Sequence, residues 1–175
     1  MRNRLTISGL AALLVVLVAD QASKAWILEG LHLPLIGRID LLPVLSLTMV
    51  WNQGVTFGLF KAGGAWGPLL LVGVAAVIVV ALGVWLQRAE TRFVAVALGS
   101  IAGGAIGNVL DRLRFGAVVD FIHLHVGDWS WYVFNVADAA IVCGVAALVL
   151  DGLRPQRRAD AQVSERLAGP GPTEL

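Results

Sequence analysis

Two aspartates in strongly apolar surroundings are the residues best suited to chemistry. Asp138 lies inside the hydrophobic segment 131–153, and Asp120 is embedded in the apolar run 117–122. An ionised carboxylate in hydrocarbon costs about 3 kcal/mol or more, so an intramembrane aspartate usually serves a function. Two such carboxylates can have their pKa values pushed apart, so that one holds a proton while the other is ionised. This is the chemistry of an aspartic hydrolase, although the residues alone leave open which aspartate holds the proton.

The composition indicates a membrane protein. Of the 175 residues, 58% are hydrophobic and only 14% are charged, which excludes an ordinary soluble domain. Four stretches approach the roughly 20 apolar residues that span a bilayer: 5–28, 66–86, 93–110 and 131–153. We therefore expect an all-α membrane protein with four transmembrane helices in one domain, residues 1–153, followed by a disordered cytoplasmic tail, residues 154–175. The net charge of +1 gives no reason to expect a nucleic-acid partner, and the single Cys143 excludes an internal disulfide.

The basic residues predict the orientation in the membrane. Most arginines lie in the N-terminal segment, in the short loop 87–92 and in the tail. The positive-inside rule therefore places both termini and the short loop in the cytoplasm, and the two longer loops outside. The first apolar stretch also imitates a signal peptide, but Asp20 and Lys24 follow it without a small-x-small cleavage site. A retained first helix is the favoured interpretation.

The first long loop has the pattern of β structure. Large apolar residues alternate with smaller ones along 45–51, the turn residues 52–54 follow, and 55–58 reads as a second strand. We expect a small β-containing platform on the extracytoplasmic surface.

Polar residues converge at one depth when a rise of 1.5 Å per residue is counted along each helix. Asp20 lies about 20 Å from the cytoplasmic start of the first helix, Asn108 about 24 Å from Arg92, and Asp138 about 10 Å inside its outer end. Pairs at i,i+3 or i,i+4 share one helix face: Asp20–Lys24, Asn108–Asp111, Asn108–Arg112 and Asn135–Asp138. Interhelical hydrogen bonds or snorkelling ion pairs remain an equal alternative for Asp20–Lys24 and Asp111–Arg112.

A stripe of glycines precedes Asn108. Gly99, Gly103, Gly104 and Gly107 have the spacing of a close helix–helix contact. Packing is the simpler interpretation, and the position of the stripe also leaves room for a substrate backbone to approach.

A metal site is weighed because Asp120, His123 and His125 are near in sequence. In an extended segment both histidines would point away from Asp120, and no third ligand is evident. We expect no metal and no other cofactor.

Five segments together resemble one family, the lipoprotein signal peptidases, or type II signal peptidases, of bacteria. They extend from the first to the fourth predicted helix: Asp20-Gln21-Ala22-Ser23-Lys24, Asn52-Gln53-Gly54-Val55-Thr56-Phe57-Gly58, Gly107-Asn108-Val109-Leu110-Asp111-Arg112, Val118-Val119-Asp120-Phe121-Ile122 and Phe134-Asn135-Val136-Ala137-Asp138. One departure is Thr56, where the family often has alanine, and it concerns substrate fit more than chemistry.

The resemblance implies an aspartic endopeptidase of the bacterial inner membrane, with Asp120 and Asp138 as the catalytic pair. Its substrate would be a prolipoprotein whose cysteine carries a diacylglyceryl group, cut on the N-terminal side of that cysteine near the extracytoplasmic face. Membrane lipid would be its other partner, and the enzyme would be monomeric. The same motifs imply substrate-binding or supporting roles for Asp20, Lys24, Asn52, Gly54, Asn108, Asp111, Arg112 and Asn135.

Two other classes of function remain to be weighed. A small proton-coupled transporter or proton-conducting protein could use Asp20, Asp111 and Asp138 as a relay. Against it, the inner halves of the second to fourth helices are almost free of ionisable residues. A structural assembly subunit would not require two aspartates at a shared depth.

Overall fold

The computed structural model of the protein describes residues 2–54 and 66–153. The predicted strand at 55–58 and the predicted tail at 154–175 lie outside these residues. In chain order the helices and strands are α1 (Arg2–Ala25), a π-helical turn (Trp26–Gly30), α2 (Leu33–Ile36), β1 (Arg38–Leu42), β2 (Leu45–Asn52), α3 (Trp66–Leu86), α4 (Arg92–Phe115), β3 (Val118–Val126), β4 (Trp129–Ser130) and α5 (Val136–Gly152).

Three helices of the described residues are long and apolar enough to cross a membrane: α1 with its π-helical turn, α3 and α4. They agree with the first three predicted spans. Their outward surfaces carry exposed aliphatic side chains such as Leu14, Val77 and Val80, as a lipid environment allows. Trp26 and Trp85 are half exposed at helix ends, where interfacial tryptophans occur.

The fourth predicted span begins later than expected. Residues 131–135 are not helical, because Phe134 forms a β-bridge with Ile122 of β3 and Asn135 caps the helix that follows. α5 has 17 residues and is therefore about 25 Å long, slightly shorter than a hydrocarbon core of about 30 Å. The predicted depth of Asp138, about 10 Å inside its helix, is wrong, since Asp138 lies in the first turn of α5.

Helix α4 lies at the centre of the bundle and packs against α1, α3 and α5. Its glycines permit this approach. A Cβ atom at Gly99 would collide with the backbone of Gly9 in α1, and one at Gly104 would lie 2.6 Å from the carbonyl oxygen of Ala137 in α5. The stripe is thus a packing surface, as the simpler interpretation predicted.

The four strands form one antiparallel sheet in the order β1-β2-β3-β4. The strand predicted at 45–51 is confirmed as β2, and β3 carries Asp120 opposite Val50. A buried apolar cluster joins this sheet to the end of the first helix; its members are Ile27, Leu33, Leu47, Val119 and Phe121. This cluster fixes the sheet, and with it Asp120, against the polar end of the bundle.

Candidate active site

Asp120 is almost fully buried on β3, with 1% of its surface exposed. Its two oxygens accept hydrogen bonds from side-chain amides, Oδ1 from Nδ2 of Asn135 at 2.7 Å and Oδ2 from Nδ2 of Asn52 at 2.9 Å. Burial raises the pKa of Asp120 to about 6; the hydrogen bond from Asn52 lowers it in part, and repulsion from Asp138 raises it further. A carboxyl group with this pKa can hold a proton close to neutral pH.

Asp138 is partly exposed and is positioned by a capping box at the start of α5. The backbone N–H of Asp138 donates to Oδ1 of Asn135 at 2.9 Å, while the N–H of Asn135 donates to Oδ2 of Asp138 at 3.4 Å. This arrangement explains the i,i+3 spacing of the two residues. It also places a carboxylate at the positive end of the helix dipole, which stabilises a negative charge.

Asn108 and Asn135 connect the two carboxyl groups. Nδ2 of Asn108 donates to Oδ1 of Asp138 at 2.8 Å, and Nδ2 of Asn135 donates both to Asp120 and, at 3.2 Å, to Oδ1 of Asn108. The two aspartates, 18 residues apart in sequence, are therefore joined through a pair of neutral amides. Neutral donors can hold carboxyl groups in place without supplying a counterion that would quench both charges.

A buried cluster of three charged residues lies behind these amides. Nζ of Lys24 is 2.8 Å from Oδ2 of Asp20 and 2.7 Å from Oδ2 of Asp111, and the three residues are at most 2% exposed. The i,i+4 pair Asp20–Lys24 is as predicted, while Asp111 turns to Lys24 of the neighbouring helix rather than to Arg112. Buried charges of this kind are tolerated only when they are paired and hydrogen-bonded.

The two acidic members of this cluster hold the backbone beside each aspartate of the pair. Oδ1 of Asp20 accepts from the N–H of Ala137 at 3.0 Å, and Oδ2 of Asp111 accepts from the N–H of Val119 at 3.1 Å. Ala137 directly precedes Asp138, and Val119 directly precedes Asp120. The cluster is consequently a frame that positions strand β3 and the start of helix α5 through their main chains.

Gln21 is a site residue that the sequence analysis did not single out. Its Nε2 donates to Asp20 and Asp111, at 3.1 Å each, and lies 3.3 Å from the carbonyl oxygen of Gly107. Its position between Asp20 and Lys24, in one of the five segments that resemble the family, could have identified it from the sequence. At Gly107, the last glycine of the stripe, the missing side chain makes room for the carboxylate of Asp20, with which a Cβ would collide.

Asn52 and Gly54 form the turn at the end of β2. The N–H of Gly54, at φ 83°, donates to Oδ1 of Asn52 at 2.9 Å, so Nδ2 of that amide is left to face Asp120. Glycine adopts this positive φ without the steric penalty of other residues. The predicted turn is therefore confirmed, and it orients a hydrogen-bond donor to the site.

Arg112 is half buried beside the pair. Its Nη1 donates to the carbonyl oxygen of Asn108 at 3.2 Å, and its charge interacts with Asp138 and Asp120. Its Nε is buried without a hydrogen-bond partner among the described residues. The guanidinium therefore retains N–H groups that could donate hydrogen bonds to a carbonyl group of a bound peptide.

His123 and His125 take part in a separate set of contacts. His123 lies 2.5 Å from the hydroxyl of Ser130 and 3.2 Å from that of Thr48, and His125 lies 3.2 Å from Arg38. Within residues 2–54 and 66–153, no three His, Cys, Asp or Glu side chains come together in a way that could hold a metal ion.

The family is decided by comparison with known proteins. The family model described as signal peptidase (SPase) II matches residues 12–154. This chain belongs to the signal peptidase II family. A lipoprotein signal peptidase of Methylorubrum extorquens (strain PA1) is 55% identical over 152 residues, which are 87% of this chain and 89% of that protein. One from Rhodopseudomonas palustris (strain ATCC BAA-98 / CGA009) is 46% identical over 149 residues, 83% of this chain and 91% of that protein.

Two solved structures resemble this chain in fold. Two structures described as a bacterial membrane enzyme give TM-scores of 0.71 and 0.73, each at 25% sequence identity. They cover 86% and 85% of this chain, and 90% and 94% of their own chains. The protein is accordingly a membrane peptidase. Membership of a peptidase family also argues against the alternative of a proton transporter. Two residues of the relay predicted for that transporter, Asp20 and Asp111, are joined through Lys24.

Proposed function

We propose that this signal peptidase II is an aspartic endopeptidase of the bacterial inner membrane. It removes the signal peptide of prolipoproteins by cutting on the N-terminal side of a cysteine that carries a diacylglyceryl group. The observation that carries the mechanism is the pair Asp120 and Asp138, joined through neutral amides. One member is buried with a raised pKa and the other is partly exposed at a helix N-terminus.

The reaction uses the different surroundings of the two carboxyl groups. The ionised member removes a proton from a water molecule, whose oxygen bonds to the scissile carbonyl carbon. The protonated member donates to the carbonyl oxygen, so no full negative charge develops there. The carbon–nitrogen bond then breaks, and the leaving amine takes the proton that the base collected. The hydroxyl formed from the carbonyl oxygen returns its proton to the other carboxyl group, which restores the pair. Asn108 and Asn135 hold both carboxyl groups throughout without contributing charge, and Arg112 binds a carbonyl group of the substrate.

The names of the relatives and the position of the site support this choice of substrate. The relatives at 46–55% identity are named lipoprotein signal peptidases. The pair lies where α4 ends and α5 begins, next to exposed apolar helix surfaces. A signal-peptide helix can approach sideways through lipid, while the acyl chains of the modified cysteine remain in the bilayer. No thiol or cofactor of the enzyme is needed, since the lipid belongs to the substrate.

The topology proposed with this function has four spans, with α5 as the last of them, and both termini in the cytoplasm. The ends of β2, β3 and α4 then lie near the extracytoplasmic face, which is where a secreted prolipoprotein presents its signal peptide. We also propose that the enzyme acts as a monomer; one chain supplies both aspartates, so the reaction needs no second copy.

Cleavage of a lipid-modified prolipoprotein by purified variants tests the proposal. Asp120→Asn and Asp138→Asn should each abolish turnover, because an amide is nearly isosteric with a carboxyl group but cannot act as a base or share the proton. The double variant should be no worse than either single one, as expected of residues that act as a unit. Asp40→Asn is the matched control, since that carboxylate is 68% exposed and pairs with Arg38 on the sheet surface. If either single variant retained more than a few per cent of wild-type turnover, the aspartic mechanism would be wrong.

A further inference from the structure

Lys24 makes one contact that its charge does not require. Its ammonium group has three hydrogens. Two are directed at the carboxylates of Asp20 and Asp111, which already outnumber the single positive charge. The third is directed at a neutral atom, Oδ1 of Asn108, at 3.2 Å. This contact connects the buried charged frame to the amide that donates to Asp138.

The direction of the Asn108 amide is determined by two donors. Its Oδ1 accepts from Nζ of Lys24 and from Nδ2 of Asn135, both at 3.2 Å. The Asn135 amide is itself fixed, because its Oδ1 is used to cap the N–H of Asp138. A reversed Asn108 would direct its NH₂ group at two other donors. Its Nδ2 must therefore face Asp138, which it does at 2.8 Å.

An amide hydrogen aimed at a carboxyl oxygen favours the ionised form of that group. Asp138 has this donor and the N-terminus of α5, and it is partly exposed to solvent. Asp120 accepts two amide hydrogens, from Asn135 and Asn52, but it lies on a strand with 1% of its surface exposed, and burial raises its pKa in spite of them. Desolvation disfavours the charged form most where burial is deepest. The proton shared by the pair therefore belongs on Asp120.

We propose that Lys24 is a positioning residue that acts through Asn108, keeping its amide hydrogen on Asp138 so that Asp138 is the general base and Asp120 holds the shared proton. This assignment rests on the proposed aspartic mechanism. In it, the proton of the attacking water goes to Asp138 and the proton of Asp120 goes to the carbonyl oxygen. When the carbon–nitrogen bond breaks, Asp138 protonates the amine and the hydroxyl proton returns to Asp120.

Lys24→Met tests the role of the lysine, because methionine has a similar length but neither charge nor donor. Without Lys24, only Nδ2 of Asn135 still donates to Oδ1 of Asn108. The Asn108 amide can then turn its oxygen towards Asp138 at a lower energetic cost, which favours the protonated form of the base. We expect the acidic limb of the kcat/KM profile to move to higher pH by about one pH unit, since one hydrogen bond of about 1.4 kcal/mol corresponds to that shift. A purely structural role would lower the rate at every pH and leave the limb in place, which would overturn the proposal.

The direct effect of the lysine charge must be separated from the effect through Asn108. Among residues 2–54 and 66–153, the charged groups around the pair are Lys24, Asp20, Asp111 and Arg112. In an Asn108→Ala background, Lys24→Met should move the limb no further. A limb shift of the same size in that background would show that the charge acts alone, and the proposal would be wrong.

A second variant guards against poor folding, because Lys24→Met leaves two buried carboxylates without a counterion. The triple variant with Asp20→Asn and Asp111→Asn has a neutral frame. Together the three substitutions remove a net charge of −1. Electrostatics alone would therefore move the acidic limb to lower pH. An Asn108 amide that is no longer held by Lys24 would move the limb to higher pH. A shift to lower pH in this variant would count against the proposal.

An optical measurement tests the proton assignment without any turnover. Isotope-edited infrared spectra of protein labelled in its aspartate carboxyls should show a protonated band one pH unit below the pKa of about 6. This band should be lost in Asp120→Asn and retained in Asp138→Asn; the opposite pattern would place the proton on Asp138. If the wild type failed to cut prolipoprotein, the proposed function would fail, while these spectra would still decide the assignment.

Discussion

At high pH, the Asp120→Asn variant should be more stable than the wild-type protein, although the substitution abolishes the proposed chemistry. The folded protein holds Asp120 with a pKa of about 6, against an ordinary value of 3.8, mainly because the side chain is buried. Between these two values the unfolded chain releases its proton and the folded chain does not. Wild-type stability therefore falls as the pH rises from about 4 to about 6 and remains lower above that range. Asparagine does not titrate and escapes this loss.

The size of the effect follows from the same two pKa values. Their difference corresponds to roughly 3 kcal/mol, at 1.36 kcal/mol for each pH unit. A separate cost is independent of pH, because the new amide must turn its NH₂ group towards one of two donors, Asn52 or Asn135. Losing that hydrogen bond costs about 1–2 kcal/mol. We expect Asp120→Asn to be slightly less stable than wild type near pH 4 and more stable by about 1–2 kcal/mol near pH 8.

Thermal unfolding of the detergent-solubilised proteins at a series of pH values measures this difference. The gap between the two melting temperatures should change by roughly 6–12 °C between pH 4 and pH 8. Because the two carboxyl groups titrate as a pair, the variant reports the sum of both protonation changes. Asp40→Asn, which alters an exposed carboxylate, should follow the wild-type curve. Parallel curves for Asp120→Asn and wild type would refute the claim that burial holds a proton at this site.

Three further outcomes are expected. Reporter fusions near Glu90 should give a cytoplasmic signal and fusions near Gly127 an external one; an external reading at Glu90 would overturn the proposed topology. Chelators and Cys143→Ser should leave most of the cleavage activity in place, and loss with EDTA that zinc restores would revive a metal mechanism. Gly107→Ala should lower both melting temperature and turnover, because its Cβ would displace the Asp20 carboxylate, whereas Gly83→Ala on α3 meets open space and should behave like wild type. Equal behaviour of the two glycine variants would remove the argument for a close approach at 107.

Sequence patterns predicted the parts of this fold that depend on local composition. Long apolar runs located α1, α3 and α4, and period-two alternation located β2. The start of α5 was misplaced because residues 131–135 are apolar enough to continue a span. They pair instead with β3 through Phe134, and the chain becomes helical only after the Asn135 cap. Hydrophobicity alone does not distinguish these two outcomes.

Local sequence patterns also predicted part of the candidate site. Spacing along one helix predicted Asp20–Lys24 and Asn135–Asp138, since neighbours at i,i+3 and i,i+4 share a face. It could not predict that Asp111 reaches across to Lys24, because the rotation of one helix against another is set by packing. Backbone partners of buried carboxylates, such as the N–H of Ala137, leave no mark on the residue types at all.

The frame of Asp20, Lys24 and Asp111 has a consequence for biosynthesis. Its hydrogen bonds reach Val119 and Ala137, so the spacing of Asp120 and Asp138 is set by α1, α4, β3 and α5 together. A nascent chain that ends before Asn135 already contains Asp120 but lacks both Asn135 and Asp138. Under the proposed aspartic mechanism, such a chain cannot hydrolyse a peptide bond. Proteolytic competence would then be acquired in a single late step, when the last helix docks, and incomplete chains would not attack other secretory proteins during insertion.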